Sequence, residues 1–282
     1  MNKLFSLAFC FLMSIACGDL WAQTRVFECS GVAYEVMHAD GNSVAVVRGS
    51  RVYSGSVNIP GSVSHEGRSY SVRAIAEGAF RDSYVSNVSL PYNLAEIGAE
   101  AFKGCRSLSR INLPNNVGVI GAGCFEDCTA LYTVDVGYSS SLRVLPARCF
   151  RNCNSLRELR LPPYITAIGD ACFQDCRLLR TISIPCRVET IGSNAFRACR
   201  SLNSVTLPAA LRKLGSCCFG ACYNLRAVVC ESRNPYPVYE STALRGDGVN
   251  IYRQATLRVP RGLLDNYKQV VGWREFGKME EF

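Results

Sequence analysis

From residue 80 onward the apolar positions recur at a fixed period instead of merely clustering. Phenylalanine stands at Phe80, Phe102, Phe125, Phe150, Phe173, Phe196 and Phe219, at intervals of 22, 23, 25, 23, 23 and 23 residues. Six residues after each Phe from the second copy on comes a leucine: Leu108, Leu131, Leu156, Leu179, Leu202 and Leu225. Nine after stand Ile111, Val134, Leu159, Ile182, Val205 and Val228, and eleven after stand Leu113, Val136, Leu161, Ile184, Leu207 and Cys230. This Leu-x-x-Ile-x-Leu phase alternates inward and outward, which predicts one short strand per copy with two inward side chains. Pro91, Pro114, Pro162, Pro185 or Pro208 follows in most copies. Proline has no N–H to give a ladder and ends the strand.

An aliphatic–Gly pair precedes each Phe in most copies, as in Ile97-Gly98 and Leu214-Gly215, and reads as a turn. The following Ala/Cys-Phe-x-x-Cys stretch has the three- and four-residue spacing of one helical turn. A single unit of this kind cannot bury its apolar side. Stacked units can, with their strands about 4.8 Å apart in a parallel sheet. The expected fold class is therefore α/β: a leucine-rich repeat right-handed solenoid, with short parallel strands on one face and short helical turns on the other.

These residues also carry a resemblance. The run Ile97-Gly98-Ala99-Glu100-Ala101-Phe102-Lys103-Gly104-Cys105-Arg106-Ser107-Leu108 resembles the BspA-like leucine-rich repeat family of bacterial surface proteins. Gly55-Ser56-Val57-Asn58-Ile59-Pro60 and Gly67-Arg68-Ser69-Tyr70-Ser71-Val72 resemble the β-rich segment before that family's first repeat. Leu257-Arg258-Val259-Pro260-Arg261-Gly262, with Tyr267-Lys268 and Gly272-Trp273-Arg274-Glu275-Phe276, resembles its C-terminal cap. The resemblance implies a secreted or surface-displayed binding protein, with adhesion to host proteins, cells or other bacteria among its roles. It implies no shared catalytic residues.

The chain divides accordingly. Residues 1–22 read as a signal peptide: Met1-Asn2-Lys3 is a short positive start and Leu4 to Ala16 an apolar run too short to span a bilayer. Cleavage after Ala22 leaves Gln23 as the new terminus. The alternative is a lipoprotein cut before Cys17, after Ser14-Ile15-Ala16, which would give the only membrane attachment. Residues 23–73 form a β-rich N-terminal module with a hairpin at Asp40-Gly41-Asn42, between Val32, Tyr34, Val36 and Val44, Val46. Residues 74–230 hold the array of about seven 23-residue units. Residues 231–282 form a capping segment, with a last strand and then a short amphipathic helix around Leu263–Val270 that would protect the final edge. Two departures stand out. Ser83 replaces cysteine in the first copy, and Val136-Gly137 replaces the Leu-Pro pair before Tyr138-Ser139-Ser140-Ser141, a two-residue bulge and candidate contact loop.

Of the 16 cysteines, six stand three residues after a Phe (Cys105, Cys128, Cys153, Cys176, Cys199, Cys222). Cys124, Cys149, Cys172 and Cys218 precede one directly, in a column shared with Ala79, Ala101 and Ala195. Alternation of Ala and Cys at one site describes a small buried apolar slot, so mostly free thiols filling the core are favoured. Disulfides between rungs fit an exported protein geometrically, yet an unbroken column pairs in no unique way. Metal binding needs ligands that converge, and each pair here is locked to the apolar phase of its own rung. No metal and no cofactor is expected.

Composition narrows the function. Apolar residues make up 48% and charged ones 19%, which fits neither a disordered nor a fibrous chain. The formal net charge of +8 is carried almost wholly by arginine, since only five of the 31 basic residues are lysine. The two histidines, His38 and His65, both precede the array, so no histidine is present there to activate a thiol. No nucleotide-loop, hydrolase or metalloprotease motif occurs. The paired carboxylates Glu126 and Asp127 read as solvated.

Function in a solenoid belongs on the strand face, where outward side chains of successive rungs line up. The outward positions include Arg110, Asn112, Thr133, Asp135, Glu158, Arg160, Thr181 and Ser183. One position earlier run Ser109, Tyr132, Arg157, Arg180, Asn203 and Arg226, a candidate basic stripe with Arg106, Arg177 and Arg200. Arginine suits bidentate contact with carboxylate, sulfate or phosphate. The competing reading is a solvated face with ion pairs to Glu158, Asp175 and Glu189. The candidate ligand-binding residues are Arg110, Asn112, Tyr132, Asp135, Arg157, Glu158, Arg160, Arg180 and Arg226. The expected partner is a host or bacterial surface protein or an acidic glycan, and not nucleic acid, which would want aromatics interleaved with the charge. A structural envelope component is the alternative, and an enzyme the least supported class.

Overall fold

The computed structural model describes residues 26–37, 41–238 and 242–282. The leader expected over residues 1–22, both expected cleavage sites, His38 and Asp40 of the expected hairpin turn lie outside the described residues.

The Leu-x-x-Ile-x-Leu phase forms a parallel ladder, termed here the face ladder. Its strands include Arg110–Asn112, Thr133–Asp135 and Glu158–Arg160, then Ser204–Leu207, Ala227–Cys230 and Thr256–Val259. The register is the one the period demands: Ile111 lies opposite Val134, which lies opposite Leu159. Further along, Val205 pairs with Val228 and Val228 with Leu257. The rung at Ile182 joins through one bridge, Ser183 to Thr206.

A second parallel ladder runs through the aliphatic–Gly pairs, which the sequence suggested only as turns. Two-residue strands Glu96–Ile97 and Val119–Ile120 pair with each other, as do successive members of the series Val144–Leu145, Ala167–Ile168, Thr190–Ile191 and Lys213–Leu214. The glycine is needed there for closeness and not for a left-handed backbone. A Cβ on Gly121 would stand 2.1 Å from the amide nitrogen of Ala99 in the preceding rung, and one on Gly215 would stand 2.3 Å from that of Ser193.

The stretch around each Phe is a run of turns without an α-helix. Two residues before and two after the Phe, the backbone is left-handed, as at Glu100 (φ 52°) and Gly104 (φ 71°), or Ala171 (φ 53°) and Asp175 (φ 61°). Alternating the hand aims every second N–H along the stack. The amides of Glu100, Phe102 and Gly104 donate to the carbonyls of Ala122, Cys124 and Glu126 in the next rung at 2.8 Å. The intervening amides of Ala101, Lys103 and Cys105 turn back to carbonyls three residues earlier. A true helix would spend every amide internally and leave the rungs unjoined on this side.

Between these walls lies the core. All seven repeat phenylalanines have zero exposure. Their rings form one continuous stack, with neighbouring centroids 5.0–5.5 Å apart and planes within 4–11°. Burying each such ring contributes about 1.5–3 kcal/mol. No isolated unit could gain this.

At the N-terminal end Val26–Cys29, Val32–Val36 and Ser43–Val47 pair antiparallel. Ser43–Val47 then pairs in parallel with Arg68–Ile75, which continues into the second ladder through Ile75 and Ile97. Ser54–Asn58 pairs with Tyr84–Ser89 ahead of the face ladder. At the other end a helix spans Leu264–Gln269. The last strand was expected before this helix, but Met279–Glu281 follows it and pairs in parallel with Thr256–Val259. The strand, and not the helix, occupies that edge. The helix is fixed inward by Tyr267, whose hydroxyl donates to the Ser232 carbonyl at 2.7 Å.

Candidate binding face

The register of the face ladder sets the expected site residues in rows. Arg110, Thr133 and Glu158 form one row, and Asn112, Asp135 and Arg160 the next. Arg110, Asn112, Asp135, Glu158 and Arg160 are exposed, while Thr133 is half-buried. Arg110 donates to the Tyr132 hydroxyl at 2.9 Å and its guanidinium lies 5.6 Å from the centre of that ring. Arg160 donates to the hydroxyl of Tyr138 at 3.2 Å.

The positions one residue earlier follow one another from rung to rung. The amide of Tyr132 donates to the Ser109 carbonyl and that of Arg157 to the Tyr132 carbonyl, and likewise Asn203 to Arg180 and Arg226 to Asn203. Arg157, Arg180 and Arg226 are exposed. Among the described residues no carboxylate pairs with Arg157 or Arg180. Arg226 turns back to the carbonyl of Tyr223 at 2.8 Å. Of the three acids offered by the solvated-face reading, only Asp175 pairs, with Arg177 at 3.6 Å. Glu158 and Glu189 form no ion pair among the described residues.

One reading needs correction. Glu126 is not solvated: it is 4% exposed and held between Lys103 at 3.1 Å and Arg151 at 2.9 Å. Lys103 also binds Glu100, which pairs with Arg81, so alternating charges run rung to rung along the turns. Lys103 and Arg81 hold the Glu100 carboxyl below its ordinary value. Asp127 accepts from the Asn152 side-chain Nδ2 at 2.7 Å.

The cysteines do more than fill space. In each rung the thiol three residues after the Phe donates to the Phe carbonyl of the rung before: Cys105 to Phe80, Cys128 to Phe102, Cys153 to Phe125, at 3.0–3.2 Å, and so on to Cys222 and Phe196. In the first unit Ser83 sits 3.4 Å from the Cys105 sulfur. All 14 described cysteines are free. Desolvation pushes the buried thiols up, Cys222 to about 12, so they stay neutral. Among the described residues no three His, Cys, Asp or Glu side chains converge as metal ligands.

The two-residue insertion has a defined shape. Gly137 is left-handed (φ 66°), and a Cβ there would meet the Asn115 side-chain oxygen at 2.6 Å, which explains why proline is absent. In other rungs the proline carbonyl accepts the amide three residues on, as Pro114 does from Val117. Here the buried Ser139 hydroxyl accepts from Leu142 at 3.1 Å and donates to the Val117 carbonyl at 2.6 Å. Tyr138, on the loop, is 64% exposed. It borders a cleft of about 540 Å³ with Tyr92, Asn115, Asn116 and Asp135. The loop is legible in the sequence as a two-residue insertion, and the cleft is not.

Two parallel ladders around a phenylalanine stack define a solenoid of leucine-rich repeats. The BspA type leucine rich repeat region, in six copies, matches residues 62–176 and 135–236. The chain belongs to that family. Its fold is similar to that of a leucine rich cell surface protein from Faecalibacterium prausnitzii, with a TM-score of 0.63 and 21% identity over 83% of this chain and 70% of that one. It is also similar to a leucine-rich repeat protein from Bacteroides ovatus (TM-score 0.53, 21% identity, 91% and 76% covered). A third similar structure is the T. pallidum leucine rich repeat protein (TM-score 0.51, 24% identity, 88% and 94% covered). No curated protein matches. No helix among the described residues is long and apolar enough to cross a membrane.

Proposed function

We propose that the chain is an exported protein displayed at or released from the bacterial surface, where its strand face binds a protein or glycan partner in adhesion or host interaction. Membership in a family of surface leucine-rich repeat proteins supports this reading. So does the column of Arg157 and Arg180, two exposed guanidinium groups without carboxylate partners, continued by Arg226. A free guanidinium offers paired donors to carboxylate, sulfate or phosphate. The segments 23–73 and 231–282 serve as caps that keep the array from pairing end to end. The role is binding and not catalysis.

An unbiased partner search on bacterial and host surfaces tests the proposal. Arg157→Ala, Arg180→Ala and Arg226→Ala together should weaken capture of the partner while circular dichroism stays unchanged, and rising salt should weaken it likewise. A search that yields no partner would favour a structural envelope component. Intact-mass measurement on the exported protein decides between a chain starting at Gln23 and one lipidated at Cys17.

A further inference from the structure

We propose that the cleft between Tyr92 and Tyr138 is a subsite for a neutral, linear saccharide running across the rungs. It rests on the surface-binding reading and names a ligand class for a place beside the face, where three side chains keep hydrogen-bonding groups unspent. The Asn115 carboxamide oxygen accepts the Tyr138 amide at 2.8 Å, which leaves both donors of its NH₂ free. Asn116 uses its NH₂ on the Tyr92 carbonyl at 2.8 Å, leaving its oxygen as an acceptor. Asp135 accepts the Gly137 amide at 2.9 Å through one oxygen and keeps the other. All three line the cleft. Each is therefore fixed by one bond to the backbone and presents a second group to whatever enters.

Donors and acceptors interleaved on short, immobilised side chains match hydroxyl groups, which both give and take hydrogen bonds. The tyrosines supply the other half of the chemistry. Tyr92 is 79% exposed and Tyr138 is 64% exposed, so their rings offer apolar surface that the core does not use. They belong to units two apart, about 10 Å along the stack at 4.8 Å per rung. An aromatic face beside polar groups suits the C–H side of a sugar ring. Tyr138 is also pinned, at its amide by Asn115 and at its hydroxyl by Arg160. Charge argues for a neutral ligand. The single lining carboxylate, Asp135, lies opposite Arg160, whose guanidinium sits on the Tyr138 hydroxyl, so the two charges offset each other and the cleft favours neither an anion nor a cation.

The test is titration of the full chain with neutral linear hexasaccharides of glucose, xylose and mannose, followed by calorimetry and tyrosine fluorescence. At least one should bind. Tyr138→Ala and Tyr92→Ala should each weaken it about tenfold, the loss of one aromatic contact, whereas Tyr138→Phe should keep most of the affinity. Both rings are exposed, so their removal leaves the core intact. Arg157→Ala, Arg180→Ala and Arg226→Ala should leave saccharide binding unchanged. The proposal fails if no hexasaccharide binds, if binding survives loss of both rings, or if it is lost with the arginines instead. Such a failure leaves the partner search untouched, because that search reads the arginine column.

Discussion

The thiol of Cys128 donates a hydrogen bond to the carbonyl of Phe102, 3.0 Å away in the preceding rung. That carbonyl also accepts the Cys105 amide of its own rung at 3.1 Å. One oxygen thus closes a turn and ties it to the next. Cys128→Ala removes the thiol from a site of zero exposure and should cost about 1–3 kcal/mol in urea unfolding. Cys128→Ser keeps a donor and should cost less. The reverse order would mean that packing alone governs the column.

Alkali should unfold the protein earlier than it unfolds most domains. Burial raises the folded thiols above their ordinary value of 9.0, Cys222 to about 12. Unfolded thiols lose their protons near that ordinary value while folded ones keep them, so stability is complete at lower pH and falls as pH rises toward the folded values. Each such thiol withdraws about 1.4 kcal/mol per pH unit in that window, and a few suffice to offset the whole stability of a domain. Circular dichroism followed with reductant present should show cooperative unfolding between about pH 9 and 11. A fold that persists beyond that range would contradict the free, buried thiols.

Gly121→Ala should be among the costliest single exchanges in the chain. Its Cβ would fall 2.1 Å from the Ala99 nitrogen, and backbone on both sides is held by the ladder. A loss of roughly 2–4 kcal/mol is expected in denaturant melts. Gly67→Ala, at a left-handed turn with open space around it, should cost only about 1 kcal/mol. Equal losses would show that the rungs yield where contact is closest.

The residues from Leu108 to Leu113 and their counterparts announced the face ladder because alternation of apolar and polar positions is a property of strands. The phenylalanine stack was legible for the same reason: one residue type at one phase has one environment. The second ladder was hidden, since two-residue strands such as Val119–Ile120 are too short to alternate. The left-handed turns were hidden too, because Glu100, Arg148 and Ala171 carry them in place of glycine. The outward arginines could be counted from sequence, but which of them lack an acid depends on side-chain reach. Arg177 finds Asp175, and Arg157 finds none. The Tyr92–Tyr138 cleft is assembled from units that only stacking brings together, so no local pattern signalled it.

A chain of near-identical layers carries a hazard that a varied core avoids: any layer can dock one step out of place and still find a ring to lie upon. Ser139 sets one layer apart. Its hydroxyl bridges Val117 and Leu142 in a way no proline-bearing layer reproduces. The Leu142 amide closes the serine's own loop, and the Val117 carbonyl ties that loop to the layer before it, so one interface in an otherwise uniform building carries a bond the other floors lack.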